Sequence, residues 1–281
     1  MRIKITSDST CDLPKDLVEK YDIEIVPLAI VKNDIPYKDG LEITPDDIFK
    51  YVESGKGICH TVAVNVAEYQ EVFARYADTY DAVIHFNISS GFSSCNQNAN
   101  IAASDFDNVY VVDTRNLSTG SGHLVLDAAI MAQSGVDARH IVDRMNDLAR
   151  KVEASFVIDS LLYLWKGGRC SGVAALGANV LKLKPCIEVV NGKMEVGKKY
   201  RGSFDKVIIQ YVKDKLAQRD DIDYKRIFIT HPTGVPQHIV QNVIDTVKAL
   251  GNFEEVIESY AGCTISNHCG PVCLGVLFYR K

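Results

Sequence analysis

The chain has 281 residues, 47% hydrophobic and 24% charged, the composition of a globular protein with room for two cores. Its formal net charge is −5 and no run of Lys or Arg exceeds two, which excludes the electrostatic footprint of a nucleic-acid or anionic-membrane binder. No stretch approaches the roughly 18 apolar residues of a membrane span, and the first residues lack the apolar core of a secretory signal, so a cytoplasmic location without stable membrane insertion is expected.

In chain order, short β-rich runs alternate with amphipathic helical patterns, which predicts an α/β fold of two domains. Strands are expected at residues 3–7, 23–26, 82–88 and 109–113, with helices at 14–21, 66–76 and 96–103 between them, giving a parallel sheet. Thr44-Pro45-Asp46-Asp47 reads as a helix start, because the hydroxyl caps free N–H groups and Pro at the first position loses no hydrogen bond. That helix ends near Ser54-Gly55. Helices at 123–133 and 137–152 close the N-terminal α/β domain, placed at residues 1–157, and a second strand set begins around Ala154. In the C-terminal domain, residues 158–281, Asn191-Gly192 between apolar runs signals a hairpin, so its sheet must be mixed. Helices at 204–216 and 236–250 and strands at 226–230, 254–259 and 276–279 complete it, while the apolar segment 171–184 reads as a core helix.

Eight cysteines in a chain this long, without a signal, read as free thiols rather than a disulfide framework. Cys263, His268, Cys269 and Cys273 cluster in sequence, but they lack the C-x2-C knuckles of structural zinc sites, and no metal is expected. More informative is where small hydroxyl residues gather. Asp8-Ser9-Thr10, Ser89 to Ser94, and Asp113-Thr114 each follow a predicted parallel strand, so all three fall at one carboxyl edge, where ligands of open α/β sheets collect. A helix starting near Ser94 would aim unpaired N–H groups at that crevice, which points to an anion. Caps and turns are the alternative use of the same residues. Thr119-Gly120-Ser121-Gly122 lacks the Lys of a P-loop, and no nucleotide role is assigned to it.

Five blocks carry a family resemblance: Ser7-Asp8-Ser9-Thr10-Cys11-Asp12-Leu13; Ile88-Ser89-Ser90-Gly91-Phe92-Ser93; Val111-Val112-Asp113-Thr114; Leu162 to Arg169; and His268 with Gly270-Pro271. In this order and over essentially the whole length, the chain resembles the DegV family, whose better understood members are the acyl-binding subunits of bacterial fatty-acid kinase. The resemblance implies a non-catalytic lipid carrier of phospholipid metabolism. A long-chain fatty acid would lie between the two domains, with no cofactor, and its carboxylate would be held by Thr61, Ser93 and His268. The carrier would present that carboxylate to the ATP-binding kinase subunit for acyl-phosphate formation. Ser94 is taken with Ser93. Where the family has Thr-Ser-Gln-Pro-Ser, this chain has Thr61-Val62-Ala63-Val64-Asn65, and Asn65 is expected to restore part of the lost polarity. Where the family reads Gly-Pro-Gly, this chain has Gly270-Pro271-Val272. Segment 171–184 would also line the acyl tunnel.

The implied site is physically consistent. A carboxylate withdrawn from water needs hydrogen-bond donors, and two hydroxyls and an imidazole supply three. At about 0.8 kcal/mol per buried methylene, a tail of some fifteen contributes on the order of 12 kcal/mol before ordering costs. Two other readings are kept: an acyl hydrolase using Ser93 and His268 with Asp8 or Asp113, although no Gly-x-Ser-x-Gly elbow is present, and a regulatory module that senses a small acid. Lys198, Lys199 and Arg201 form a basic patch, read either as a solvated face or as a docking surface for an acidic partner.

Overall fold

The alternation of β-branched runs with amphipathic segments resolves into three sheets. The computed structural model describes residues 1–170, 172 and 183–281. Its first part contains β1 (Ile3–Asp8), a 3-10 turn (Ser9–Cys11), α1 (Lys15–Lys20), β2 (Glu24–Val26), β3 (Ala29–Lys32), β4 (Ile35–Lys38), α2 (Pro45–Glu53) and β5 (His60–Val62). It continues with α3 (Val66–Ala77), β6 (Ala82–Asn87), α4 (Cys95–Ala103), β7 (Val109–Asp113), α5 (Ser118–Gln133) and α6 (Ala138–Leu148). The second part holds β8 (Val152–Ile158), α7 (Leu162–Gly167), β9 (Leu183–Val190), β10 (Lys193–Arg201) and α8 (Phe204–Leu216). Then follow β11 (Ile222–His231), α9 (Gln237–Leu250), β12 (Glu255–Tyr260), α10 (Cys263–Cys269) and β13 (Cys273–Arg280).

Strands β2-β1-β6-β7 form the parallel sheet expected from sequence. β6 is buried along its whole length, as a central strand covered by helices on both faces must be. The carboxyl ends of β1, β6 and β7 therefore share one edge, and the hydroxyl-rich segments sit there. A six-stranded mixed sheet, order β10-β9-β8-β13-β11-β12, makes the second layer system. Its β9–β10 hairpin turns at Asn191 and Gly192, with φ of 50° and 80°, the pair of positive values that a type I′ turn requires. One apolar cluster joins the two sheets, running from Val26, Val83 and Ile88 to Phe156, Ile158 and Met194.

Four sequence expectations need correction or qualification. The 157/158 division cuts β8, whose full length pairs with β13, so the change of sheet falls in the connection before residue 152. The helix predicted from 123 begins at Ser118, because Gly120 and Gly122 let the helix press against Asn116 and the Cys11 carbonyl; close packing outweighs the low helix propensity of glycine. The antiparallel sheet β4-β3-β5 was not anticipated, since its strands have only three or four residues. The segment read as a core helix at 171–184 lies, except for residues 172, 183 and 184, outside the described residues.

His123, on α5, is a core residue. Its Nε2 lies 2.9 Å from the Leu277 carbonyl, and its ring packs edge-on against Phe228 at 4.8 Å. Burial pushes its pKa down from 6.5 to about 4. The folded state thus resists a proton that the unfolded chain accepts. The stability it contributes is complete above pH 6.5 and is lost as pH falls from 6.5 towards 4, by on the order of 3 kcal/mol. Urea unfolding of the parent and of His123→Phe at pH 7 and pH 4.5 checks this: the parent should lose stability relative to the variant on acidification.

Candidate ligand-binding site

β5 brings Thr61 opposite Ile30 of β3, and Thr61 Oγ1 lies 3.0 Å from Nε2 of His268 on α10. That helix has only seven residues, and its first N–H groups have no partner within it. Two carboxyl groups from the N-terminal part supply acceptors. Asp39 accepts from Cys263 N at 2.9 Å, Thr264 N at 3.1 Å and Thr264 Oγ1 at 2.7 Å. Asp12 accepts from Gly262 N at 2.9 Å and Ser118 Oγ at 2.6 Å. Burial pushes Asp12 up to about 8 despite these bonds, with Asp39 adding to the rise. His268 is thus held by carboxyls more than two hundred residues away in the chain.

Ser93 and Ser94 lie in the loop after β6, at the start of α4. Ser93 Oγ accepts from Cys95 N at 3.2 Å and donates to Cys95 Sγ at 3.1 Å, which orients its hydroxyl. Ser94 occupies the N-cap position, yet its side chain makes no capping bond. Thr61, Ser93, Ser94 and His268 all line one cavity of about 520 Å³, within the roughly 300–1,000 Å³ range of small-molecule sites. Asn98, Thr264 and Arg169 join them at its polar surface, while Leu28, Ile88, Phe92, Leu117, Met194 and Ile265 give apolar wall. A smaller cavity of about 250 Å³, reaching His60, Tyr163 and Lys166, shares Thr61, Arg169 and His268 with the first. The Thr61–His268 pair therefore stands at the partition between an apolar chamber and a polar vestibule.

Burial lowers the pKa of His268 to about 4, and Arg169 adds to the effect, so the imidazole is neutral at neutral pH. A carboxylate arriving beside it would favour the charged form. Its Nδ1 is buried and has no hydrogen-bond partner among the described residues. Gly167 explains the close fit on that side: a Cβ there would overlap Nδ1. The Lys166-Gly167-Gly168-Arg169 motif thus has two distinct glycines. Gly168 makes the turn, with φ of 66°, and Gly167 makes space for the imidazole.

Asn65 does not reach the cavity. It is exposed and forms the capping box of α3 with Glu68, accepting from Glu68 N at 3.0 Å. A residue that must satisfy the free N–H groups of a helix start is not free to replace the missing polar loop. The acids considered for a hydrolase are also elsewhere. Asp8 is tied to Tyr69 OH at 2.7 Å and Ile88 N at 3.1 Å, and Asp113 to Ser90 and Arg115, so neither orients His268. Cys11, Cys59, Cys95, Cys186, Cys263, Cys269 and Cys273 are buried free thiols. Among the described residues no group of His, Cys, Asp and Glu is placed to hold a metal ion, and no helix is long and apolar enough to cross a membrane.

Sequence reasoning missed Asn98, Thr264 and Asp39. Asn98 had a readable signal, since it stands four residues after Ser94 on the same face of α4. Thr264 and Asp39 had none, because α10 and the strand before Asp39 are too short to show periodicity.

A family model described as the DegV family matches residues 2–281. The chain belongs to the DegV family. A DegV domain-containing protein of Caldanaerobacter subterraneus subsp. tengcongensis is 32% identical over 284 residues, covering 100% of this chain and 99% of the relative. Among solved structures, a DegV family protein from Thermus thermophilus, described for fatty acid binding, superposes with a TM-score of 0.90 at 29% identity and full coverage of both chains. A Thermotoga maritima protein described as revealing fatty acid binding function has a TM-score of 0.86 at 27% identity, again with full coverage of both.

Proposed function

We propose that this DegV protein binds a long-chain fatty acid, with its carboxylate among Thr61, Ser93 and His268 and its tail against the apolar wall of the 520 Å³ cavity. The observation that carries the reading is the Thr61–His268 pair at 3.0 Å lining a cavity that also has an apolar wall of Leu, Ile, Phe and Met side chains. The two solved relatives described for fatty acid binding support it. Tail burial gives affinity and the head group gives orientation.

The finer part of the proposal is that the protein is a carrier rather than an enzyme, needs no cofactor of its own, and offers the carboxylate to an ATP-binding kinase subunit for acyl-phosphate formation. Hydroxyls and an imidazole leave carboxylate oxygens less neutralised than a bidentate Arg clamp would, so they keep nucleophilic character. The vestibule beside Thr61 and His268 gives a phosphoryl group a route to them. Exposed Lys199 and Arg201 on the edge strand β10 supply a surface for an acidic partner, whereas Lys198 is already paired with Asp214 at 2.5 Å.

Native mass spectrometry of the gently purified protein tests the binding step. The parent should retain a mass of one acyl chain, and Ser93→Ala should retain less, with affinity for a fluorescent fatty acid reduced roughly tenfold. Absence of any acyl mass together with no displaceable fatty-acid binding removes the proposal. Acyl-phosphate production with a cognate kinase and ATP tests the second step separately.

A further inference from the structure

A second large cleft, about 680 Å³, lies between the loop after β7, the start of β8, the β9–β10 hairpin and the end of β13. Its sides bring together Arg115, Arg150, Lys215 and Arg280 with Glu153 and Glu188. Both acids are already engaged. Arg219 holds Glu153 through two parallel bonds of 2.8 and 2.9 Å, and Lys215 holds Glu188 at 2.7 Å. Among the described residues Arg115 and Arg150 have no acidic partner, and Arg280 approaches Glu153 only to 4.0 Å. Arg280 also donates to the Arg150 carbonyl at 3.1 Å, which draws these two segments together.

Arg115 and Arg150 therefore line one cleft without an acidic partner, and Arg280 beside them is only loosely paired with Glu153, in a chain whose net charge is −5. Like charges held together oppose folding. Arg115 carries a further cost, because its φ of 52° lies in the left-handed region, where a side chain other than glycine is disfavoured. Backbone strain of this kind often marks places where the held group has a use. The planar fork of Arg suits phosphate oxygens, two amide residues, Asn116 and Asn191, line the same space, and Val152, Ala154 and Val189 add an apolar face.

We propose that this cleft binds a small phosphorylated molecule with at least two negative charges, clamped by Arg115, Arg150 and Arg280. A lone carboxylate needs one guanidinium. Three spaced around a cavity of this size match the spread oxygens of a pyrophosphate or phosphate ester. The site stands apart from the fatty-acid reading and does not depend on it.

The test is calorimetric titration of the full chain with inorganic pyrophosphate, and in parallel with citrate as a polycarboxylate of comparable charge. Pyrophosphate should bind saturably, one per chain, more tightly than citrate, and less tightly as ionic strength rises. Arg150→Gln and Arg280→Gln, whose side chains are exposed and so should not disturb folding, should each weaken it by about tenfold or more. Arg144→Gln, an exposed cation of α6 outside the cleft, should not. The proposal is overturned by an absence of saturable pyrophosphate binding, by equal or tighter citrate binding, or by affinity indifferent to the Arg150 and Arg280 variants, which is the behaviour of diffuse surface charge.

Discussion

Asp39→Ala should lower the unfolding free energy by about 4 kcal/mol and weaken acyl binding at the same time. Asp39 accepts four hydrogen bonds, from Ser9 Oγ, Cys263 N, Thr264 N and Thr264 Oγ1. Its removal leaves two N–H groups at the start of α10 buried without an acceptor and cuts the tie between the β3–β4 region and the helix that carries His268. A typical exposed N-cap is worth about 1 kcal/mol, and the larger figure follows from burial and from the number of bonds lost together. Asp39→Asn keeps one acceptor oxygen and should recover part of the loss. Chemical denaturation of the three proteins, with fluorescent fatty-acid binding on the folded fractions, measures both effects. A loss below 1 kcal/mol in the alanine variant would show that α10 is held by its packing and not by this carboxyl.

The second large effect should come from one methyl group. Gly167→Ala places a Cβ where the imidazole of His268 now sits, so the ring must leave Thr61 or the end of α7 must shift. Gly167 has no left-handed backbone to protect, and alanine favours helix, so little direct damage to α7 is expected. The cost should fall on the ligand: losing one donor to a buried carboxylate is worth roughly 1.5–3 kcal/mol, a tenfold to hundredfold drop in fatty-acid affinity. Gly168→Ala is the informative comparison. That change strains a φ of 66° and meets no neighbouring atom, so it should reduce stability with a smaller effect on affinity. If both variants bind fatty acid as the parent does, His268 is not a contact of the head group.

How legible the protein was from sequence depended on element length. Long periodic segments were read well: α8 was placed at its observed limits, and α3 to within a residue. The parallel edge carrying Ser93 followed from strand order alone. The three-stranded sheet and α10 escaped because three to seven residues cannot establish a period, and these are the elements that carry Thr61 and His268. Those two residues were therefore assigned through the DegV resemblance, and their meeting at 3.0 Å is information that no local pattern held. Asn65 failed for the opposite reason. Polarity at that position was read as a ligand contact, whereas the free N–H groups of α3 had the prior claim on it.

The separation of Thr61 from His268, 207 positions along the chain, has a consequence for how occupancy reports on the molecule. On the proposed function, a partly folded intermediate that lacks either β5 or α10 has half a head-group clasp, so it would be blind to fatty acid. Ligand would then favour only the species in which both halves have docked, by mass action on that species alone. Cargo would act as a proofreader of assembly, making the loaded protein harder to open than the empty one in proportion to the free fatty acid around it.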